Sequence, residues 1–211
     1  MTDVKHIMLG AGGHARVLQE TLELIGIRLH GFVSPSSDSR LVDVDWLGAD
    51  DALAGLDPAT TLLVNGIGST ASLELRRAVY ERAVAAGHRF ATVMDPTAIV
   101  RPSAVLGDGA QVLAGAIVNS GASVGADTIV NSGAIVEHDS SVGAHSHLCP
   151  GVVLAGDVSV GDETHVGLGV RVIQGISVGS YCVIGAGAVV TKPIVDGSLA
   201  VGVPAESRAR E

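Results

Sequence analysis

Residues Ser132–Gly143 read SGAIVEHDSSVG. Val136 and Val142 stand six apart, and two positions before each comes a small residue, Ala134 or Ser140. Stepping by six toward the N-terminus meets Val130, Val124, Val118, Val112, Leu106 and Val100; stepping the other way meets Leu148, Leu154, Val160, Val166, Val172, Val178, Ile184 and Val190. All sixteen positions hold Val, Leu or Ile, with no slip in register. The residue two places earlier is small or aliphatic throughout, from Ala98 to Ala188. This is the hexapeptide signature of a parallel β-helix, in which each repeat supplies a short strand and a turn. Three repeats close one triangular coil of eighteen residues, so the chain holds about five coils, each stacked only on its neighbours. Hydrophobic residues make up 47% of the sequence but aromatic ones only 2%. A narrow prism filled by one aliphatic side chain per repeat has no room for large rings.

Before Asp95-Pro96 the periodicity differs. VKHIML (4–9) reads as a buried strand, and ARVLQETLELIG (15–26) as a helix burying Val17, Leu18, Thr21, Leu22 and Ile25, with Gly26 placed to end it. RLHGFVS (28–34), TLLVNGIGS (61–69) and RFATVM (89–94) read as further strands, and TASLELRRAVYERAVAAGH (70–88) as a second helix. The alternation predicts a small Rossmann-like parallel sheet over residues 1–94, a β-helix over 95–193 and a C-terminal tail over 194–211. The fold class is therefore α/β plus all-β.

The net charge of −9 and the absence of a Lys/Arg cluster argue against nucleic-acid binding. No apolar window reaches the ~20 residues of a membrane span. The start MTDVKHIMLGAGG lacks a signal-peptide core, so a cytoplasmic protein is expected. Cys149 and Cys182 form neither a metal motif nor a disulfide framework.

Two stretches carry chemistry. The first is the triplet Glu137-His138-Asp139 within the quoted segment. His138 lies two residues past the inward Val136, at or near a coil corner. A flanking carboxylate suits a general base, by holding the imidazole and stabilising its cation. Gly156 stands eighteen residues on, one coil above, where bare backbone can approach a ligand and an N–H can steady an oxyanion. That pairing fits acyl transfer; the plain alternative is a solvated turn histidine. The second stretch is GAGGHA (10–15), which fits G-x-G-x-x-A between a strand and a helix, a turn whose backbone N–H groups suit phosphate. The second strand ends GFVSPSS, with no acidic residue to hold a ribose, which argues against NAD and leaves a nucleotide or sugar-nucleotide pyrophosphate. Arg16 adds a charge in the first helical turn. Asn65–Ser69 (NGIGS) should lie on the same sheet edge. His147 and His165, also eighteen apart, share a column; with His138 and His145 they raise the alternative of a zinc site.

With LGAGGHARV, GIGS, NSGAIVEHDSSVGAHSH and the closing GVPA in place, the chain resembles the bacterial sugar O-/N-acyltransferases that join a Rossmann-like domain to a left-handed β-helix. Members of that family acetylate UDP-4-amino sugars or GDP-perosamine, and others are called sialic acid O-acetyltransferases. The resemblance implies a homotrimer that uses acetyl-CoA and no metal, with a nucleotide-linked amino sugar as acceptor. His138 matches the catalytic base and Asp139 the acidic residue that follows it, often Glu in the family. Gly156, His165, Gly167, Gly185, Ala186 and Gly187 match acyl-CoA-binding positions. Gly12, Gly13, His14, Arg16, Gly66, Gly68, Ser69, Asn131 and His147 match substrate-binding ones. The carboxylates that hold uracil in the UDP-sugar enzymes are replaced here by Val33-Ser34-Pro35, which makes guanine a candidate. O-acetylation of a sugar such as sialic acid, a zinc-dependent carbonic-anhydrase-like β-helix and a non-catalytic sugar-nucleotide binder are the alternatives. Cys149 reads as a packing residue.

Overall fold

The structure, a computed structural model, describes residues 4–69 and 72–210; Thr70 and Ala71, at the start of the expected second helix, lie outside the described residues. The N-terminal part is a five-stranded parallel sheet. Its elements are β1 (Lys5–Leu9), α1 (Gly13–Leu24), β2 (Leu29–Val33), β3 (Trp46–Gly48), β4 (Thr61–Asn65), α2 (Glu74–Ala85) and β5 (Arg89–Phe90), in the sheet order β3-β2-β1-β4-β5. The strand order reverses between β1 and β4, and ligands of such sheets bind where the strands on either side of that point end. Gly12-Gly13 follows β1 and Gly66–Ser69 follows β4, so both loops meet there. Gly26 ends α1 as expected: its φ is +78°, and the N–H groups of Gly26 and Ile27 close on the Glu23 and Leu22 carbonyls at 3.0 and 2.9 Å.

The expected strand over 89–94 is two strands. Arg89–Phe90 pairs with β4, whereas Val93–Met94 pairs with Gln111–Val112 of the β-helix. The chain leaves one sheet and enters the other across Ala91-Thr92, so coil pairing starts ahead of residue 95. Trp46–Gly48 and the short 3-10 helix Asp50–Gly55 carry no clear sequence period.

The rest is a left-handed parallel β-helix of two-residue strands at every sixth position, Ile99–Val100 through Val189–Val190. Strands eighteen residues apart pair in register, for example Ile117 with Ile135 and His147 with His165. Three faces result. The first runs through Gln111–Val112, Ile129–Val130, His147–Leu148, His165–Val166 and Val183–Ile184; the second through Ile117–Val118, Ile135–Val136 and Val153–Leu154; the third through Ser123–Val124, Ser141–Val142 and Ser159–Val160. The inward Val, Leu and Ile residues form one buried core column. Ser198–Val201, in the tail, adds a parallel strand to the first face beside Val183–Ile184, and Glu206–Ala209 folds back antiparallel on it.

The N-terminal sheet docks on the first face. Leu113 and Ile129, which point out of the coil, are buried against Met8, Leu18, Leu22 and Phe32. A polar clamp sits beside this contact. Arg76 of α2, fully buried, donates from Nε to the Asp127 carbonyl (3.0 Å) and from a terminal nitrogen to Asp127 Oδ1 (2.7 Å). Its other terminal nitrogen reaches the carbonyls of Asn65 (3.0 Å) and Ile67 (2.6 Å). Asn65 Nδ2 completes the cluster by donating to Asp127 Oδ1 at 2.9 Å. Breaking one side of a fully buried pair leaves an uncompensated charge. Arg76→Leu should lower unfolding free energy by about 3–5 kcal/mol. The double variant Arg76→Leu/Asp127→Leu should recover much of that loss, as read by denaturant titration; equal losses in both would sink this account.

Candidate functional site

At the sheet edge where β1 and β4 end, a cavity of about 680 Å³ opens between the N-terminal loops and the first coil face. Gly12, Gly13, His14, Gly66, Gly68, Ser69, Asn131 and His147, all expected at the substrate, line it together. Gly66 has to be glycine: a Cβ there would lie 2.6 Å from Met8 Sδ and 2.8 Å from Ala15 Cβ. Sequence reasoning missed the apolar wall of Val33, Leu53, Leu75 and Val79, and the Arg82–Asp50 ion pair (2.7 Å) at the rim. Both come from segments brought together only by the sheet.

Arg16 is elsewhere. It pairs with Glu20 at 3.2 Å, one helical turn on, and faces a separate groove with Glu23 and Arg28. Residues 16, 20 and 23 share the outer stripe of α1, so the helix turns Arg16 away from the glycine loop. The cation beside that loop is Arg40, which the sequence reading did not single out. Its N–H bonds the Ala11 carbonyl at 2.9 Å, and a Cβ built on Gly13 would lie 3.7 Å from its guanidinium.

Two polar chains tie the cavity to the coil. His14 Nε2 lies 2.7 Å from Gln111 Oε1, and Gln111 Nε2 donates to the Asn65 carbonyl at 2.8 Å. Burial, with Arg76 nearby, pushes the His14 imidazole down to about 4. In the second chain Asn131 Oδ1 accepts from the Ser132 N–H (2.8 Å), which turns Nδ2 toward His147 Nε2 (3.0 Å). The His147 proton therefore sits on Nδ1, 2.6 Å from Ser69 Oγ. Ser69 Oγ is also 3.2 Å from His165 Nδ1, and His165 Nε2 is 3.4 Å from Cys149 Sγ. Burial, then the neighbouring His165, His14 and Arg76, bring His147 down to about 3; burial also lowers His165. Both rings are neutral at ordinary pH. Burial raises the Cys149 thiol to about 11, so it is protonated and a poor nucleophile. Gly167 and Gly185 continue the column of Asn131 and Cys149 upward, and Gly187 makes a left-handed turn beyond them at φ +72°.

His138, Asp139 and Gly156 lie at the vertex between the second and third faces, opposite the face that carries the N-terminal sheet. Asp139 has φ +60°, and this left-handed turn brings its carboxylate back to the preceding ring, Oδ2 to His138 Nδ1 at 2.9 Å. Glu137 is engaged elsewhere, accepting from Asn119 Nδ2 (2.8 Å) and from the His138 N–H (3.2 Å). The hydrogen bond to Asp139 is the main cause that raises the His138 pKa, with Glu137 and Asp157 adding to it. With Nδ1–H held by Asp139, Nε2 keeps the free lone pair. Nε2 lies directly under Gly156, where an added Cβ would be only 2.6 Å away. At this turn the side chain before the vertex residue caps its N–H: Asn119 caps Ser120 at 2.9 Å and Glu137 caps His138. In the next coil that residue is Ala155, which has no acceptor, and among the described residues nothing accepts the Gly156 N–H. A base and an open donor thus lie together at one vertex. Of the four histidines weighed as zinc ligands, only His147 and His165 come together: His138 is at this vertex and His145 is bound to Asp127 at 3.2 Å.

The family model described as the PglD N-terminal domain matches residues 5–83. The acetyltransferase domain of PglB from Neisseria gonorrhoeae is 32% identical, with a TM-score of 0.91 over 97% of this chain and 99% of that one. A structure of the same domain contains acetyl coenzyme A. PerB from Caulobacter crescentus, in complex with CoA and GDP-perosamine, is 36% identical, with a TM-score of 0.90 over 97% of each chain. No curated protein matches the chain.

Because the raised His138 pKa rests first on Asp139, removing that charge should lower it. Asp139→Asn should move the His138 titration to lower pH in a histidine NMR titration, whereas His147 should stay neutral from pH 8 down to about 4. An unchanged His138 midpoint would show that Asp139 does not hold the proton.

Proposed function

The chain belongs to the sugar N-acyltransferase family, and from that premise we propose that it transfers an acetyl group from acetyl-CoA to the amino group of a nucleotide-linked amino-deoxy sugar. The observation that carries this reading is the vertex at which His138 Nε2 lies under Gly156, whose N–H is uncapped. The nucleotide diphosphate occupies the glycine turn at the N-terminus of α1, with Arg40 beside it, and the sugar extends toward Asn131 and His147. His138 takes a proton as the sugar nitrogen attacks the thioester carbonyl. The Gly156 N–H stabilises the oxyanion, and its collapse expels the thiolate of coenzyme A. Asp139 holds the imidazolium formed in that step. His165, Gly167, Gly185, Ala186 and Gly187 line the path of coenzyme A. The neutral tip of β2, Val33-Ser34-Pro35, and the GDP-perosamine bound by PerB favour a GDP-linked 4-amino sugar.

One consequence concerns assembly. Within a single protomer the cavity lies on the first coil face and His138 at the opposite vertex, so the width of the prism separates acceptor from base. The site is complete only when the cavity of one copy meets the vertex of another, which a homotrimer achieves with three equivalent contacts.

Release of coenzyme A should be rapid with a GDP-linked 4-amino-4,6-dideoxy sugar and slower with its UDP counterpart. His138→Ala should cost about 10²–10⁴-fold in kcat; full activity in that variant would remove His138 from the mechanism. Sharing is read by complementation. His138→Ala and Gly13→Glu, each inactive alone, should on co-expression regain about a quarter of wild-type activity, the random-mixing value for a site split across a heterologous interface. No recovery in verified mixed oligomers would place the whole site in one protomer.

A further inference from the structure

The column His147, Cys149 and His165 has a property that acetyl transfer does not use. One donor atom from each of these residues lies within 4.8 Å of the other two. The closest pair, Cys149 Sγ and His165 Nε2, is 3.4 Å apart. Two ligands of a tetrahedral zinc ion, with a Zn–S bond near 2.3 Å and a Zn–N bond near 2.05 Å, stand about 3.6 Å apart. That pair is therefore already spaced for a shared ion. The third donor, from His147, lies within the same 4.8 Å. Two imidazoles and one thiol form a soft donor set, and soft donors select thiophilic cations over magnesium or calcium. His147 and Cys149 are buried, and His165 is partly so.

The surroundings supply what a metal site needs besides ligands. His165 binding through Nε2 carries its proton on Nδ1, where Ser69 Oγ is 3.2 Å away to accept it. Access comes through the 680 Å³ cavity that His147 lines. His147 has no spare nitrogen, since one faces Ser69 and the other Asn131. Coordination must take one of these from its partner, and either loss reshapes the cavity wall.

We propose that His147, Cys149 and His165 form a binding site for a thiophilic divalent cation of the zinc class, and that filling it shuts the acceptor cavity. On binding, the Cys149 S–H bond breaks, the sulfur bonds the ion, and the proton leaves to solvent. The ion is an inhibitor rather than a resident cofactor. The inhibitory half rests on reading the cavity as the acceptor site; the binding half does not.

The two halves are tested separately on the full chain. Titration of the metal-free protein with Co²⁺ should give one equivalent of binding, with a thiolate-to-cobalt charge-transfer band in the near ultraviolet. Cys149→Ala should abolish the band while keeping the fold and the acetyl transfer. Cys149→Val, which fills the space of the thiol without a donor, repeats the test should the alanine variant fold poorly. No band in the wild type, or an unchanged band in both variants, overturns the site; the latter would point to Cys182. Zn²⁺ should then slow acetylation, measured by chromatography of the acetylated sugar because free coenzyme A itself takes up zinc. A chelator should restore the rate, and the inhibiting concentration should rise at least about tenfold in Cys149→Ala. A cobalt band without zinc inhibition overturns the inhibitory half. A band in a protein with no acetyl transfer to any amino sugar leaves the metal site standing and removes the proposed function instead.

Discussion

Everything in this protein hangs on one repeated event, the burial of a single aliphatic side chain every sixth residue inside a prism too narrow for more. Because three such residues complete a coil, position in space follows from position in sequence by counting in eighteens. His147 meets His165, and Gly156 rises over His138, with no loop or helix intervening. The coil is thus a ruler, and chemistry is written on the residues between its marks.

That is also why the coil was legible and the docking was not. The inward Val, Leu and Ile positions, the β-helix, and the stacking of Gly156 on His138 all follow from local counting. The glycine loops after β1 and β4 were readable because a strand-to-helix turn announces itself in glycine. What failed depends on long-range placement. The segment 89–94 splits because its two halves serve different sheets, a distinction that a run of six residues does not encode. Arg16 is near the glycine turn only in sequence, whereas Arg40 reaches that turn through the fold of the loop after β2. The bond from Ser69 to His147 joins residues 78 positions apart and has no signature in either segment.

The triplet Glu137-His138-Asp139 shows how the backbone divides labour between like residues. Sequence offers two carboxylates for one imidazole. The left-handed turn at Asp139 assigns the nearer contact to the shorter side chain, and Glu137 is drawn to Asn119 and to the His138 N–H. A longer acid at position 139 would need a different reach to hold the same nitrogen. The clamp of Arg76 on Asp127 makes an analogous assignment at larger scale, by fixing the loop after β4 to one corner of the coil.

The absence of a cap on Gly156 follows from Ala155 alone, since the equivalent residues in the two coils below are Asn119 and Glu137. An acceptor at position 155 would satisfy the turn and make this coil more stable. It would also occupy the Gly156 N–H, leaving the His138–Asp139 pair in place. On the proposed mechanism, stability and reactivity are opposed at this one methyl group, and drift toward a better-folded turn is drift toward a slower transfer.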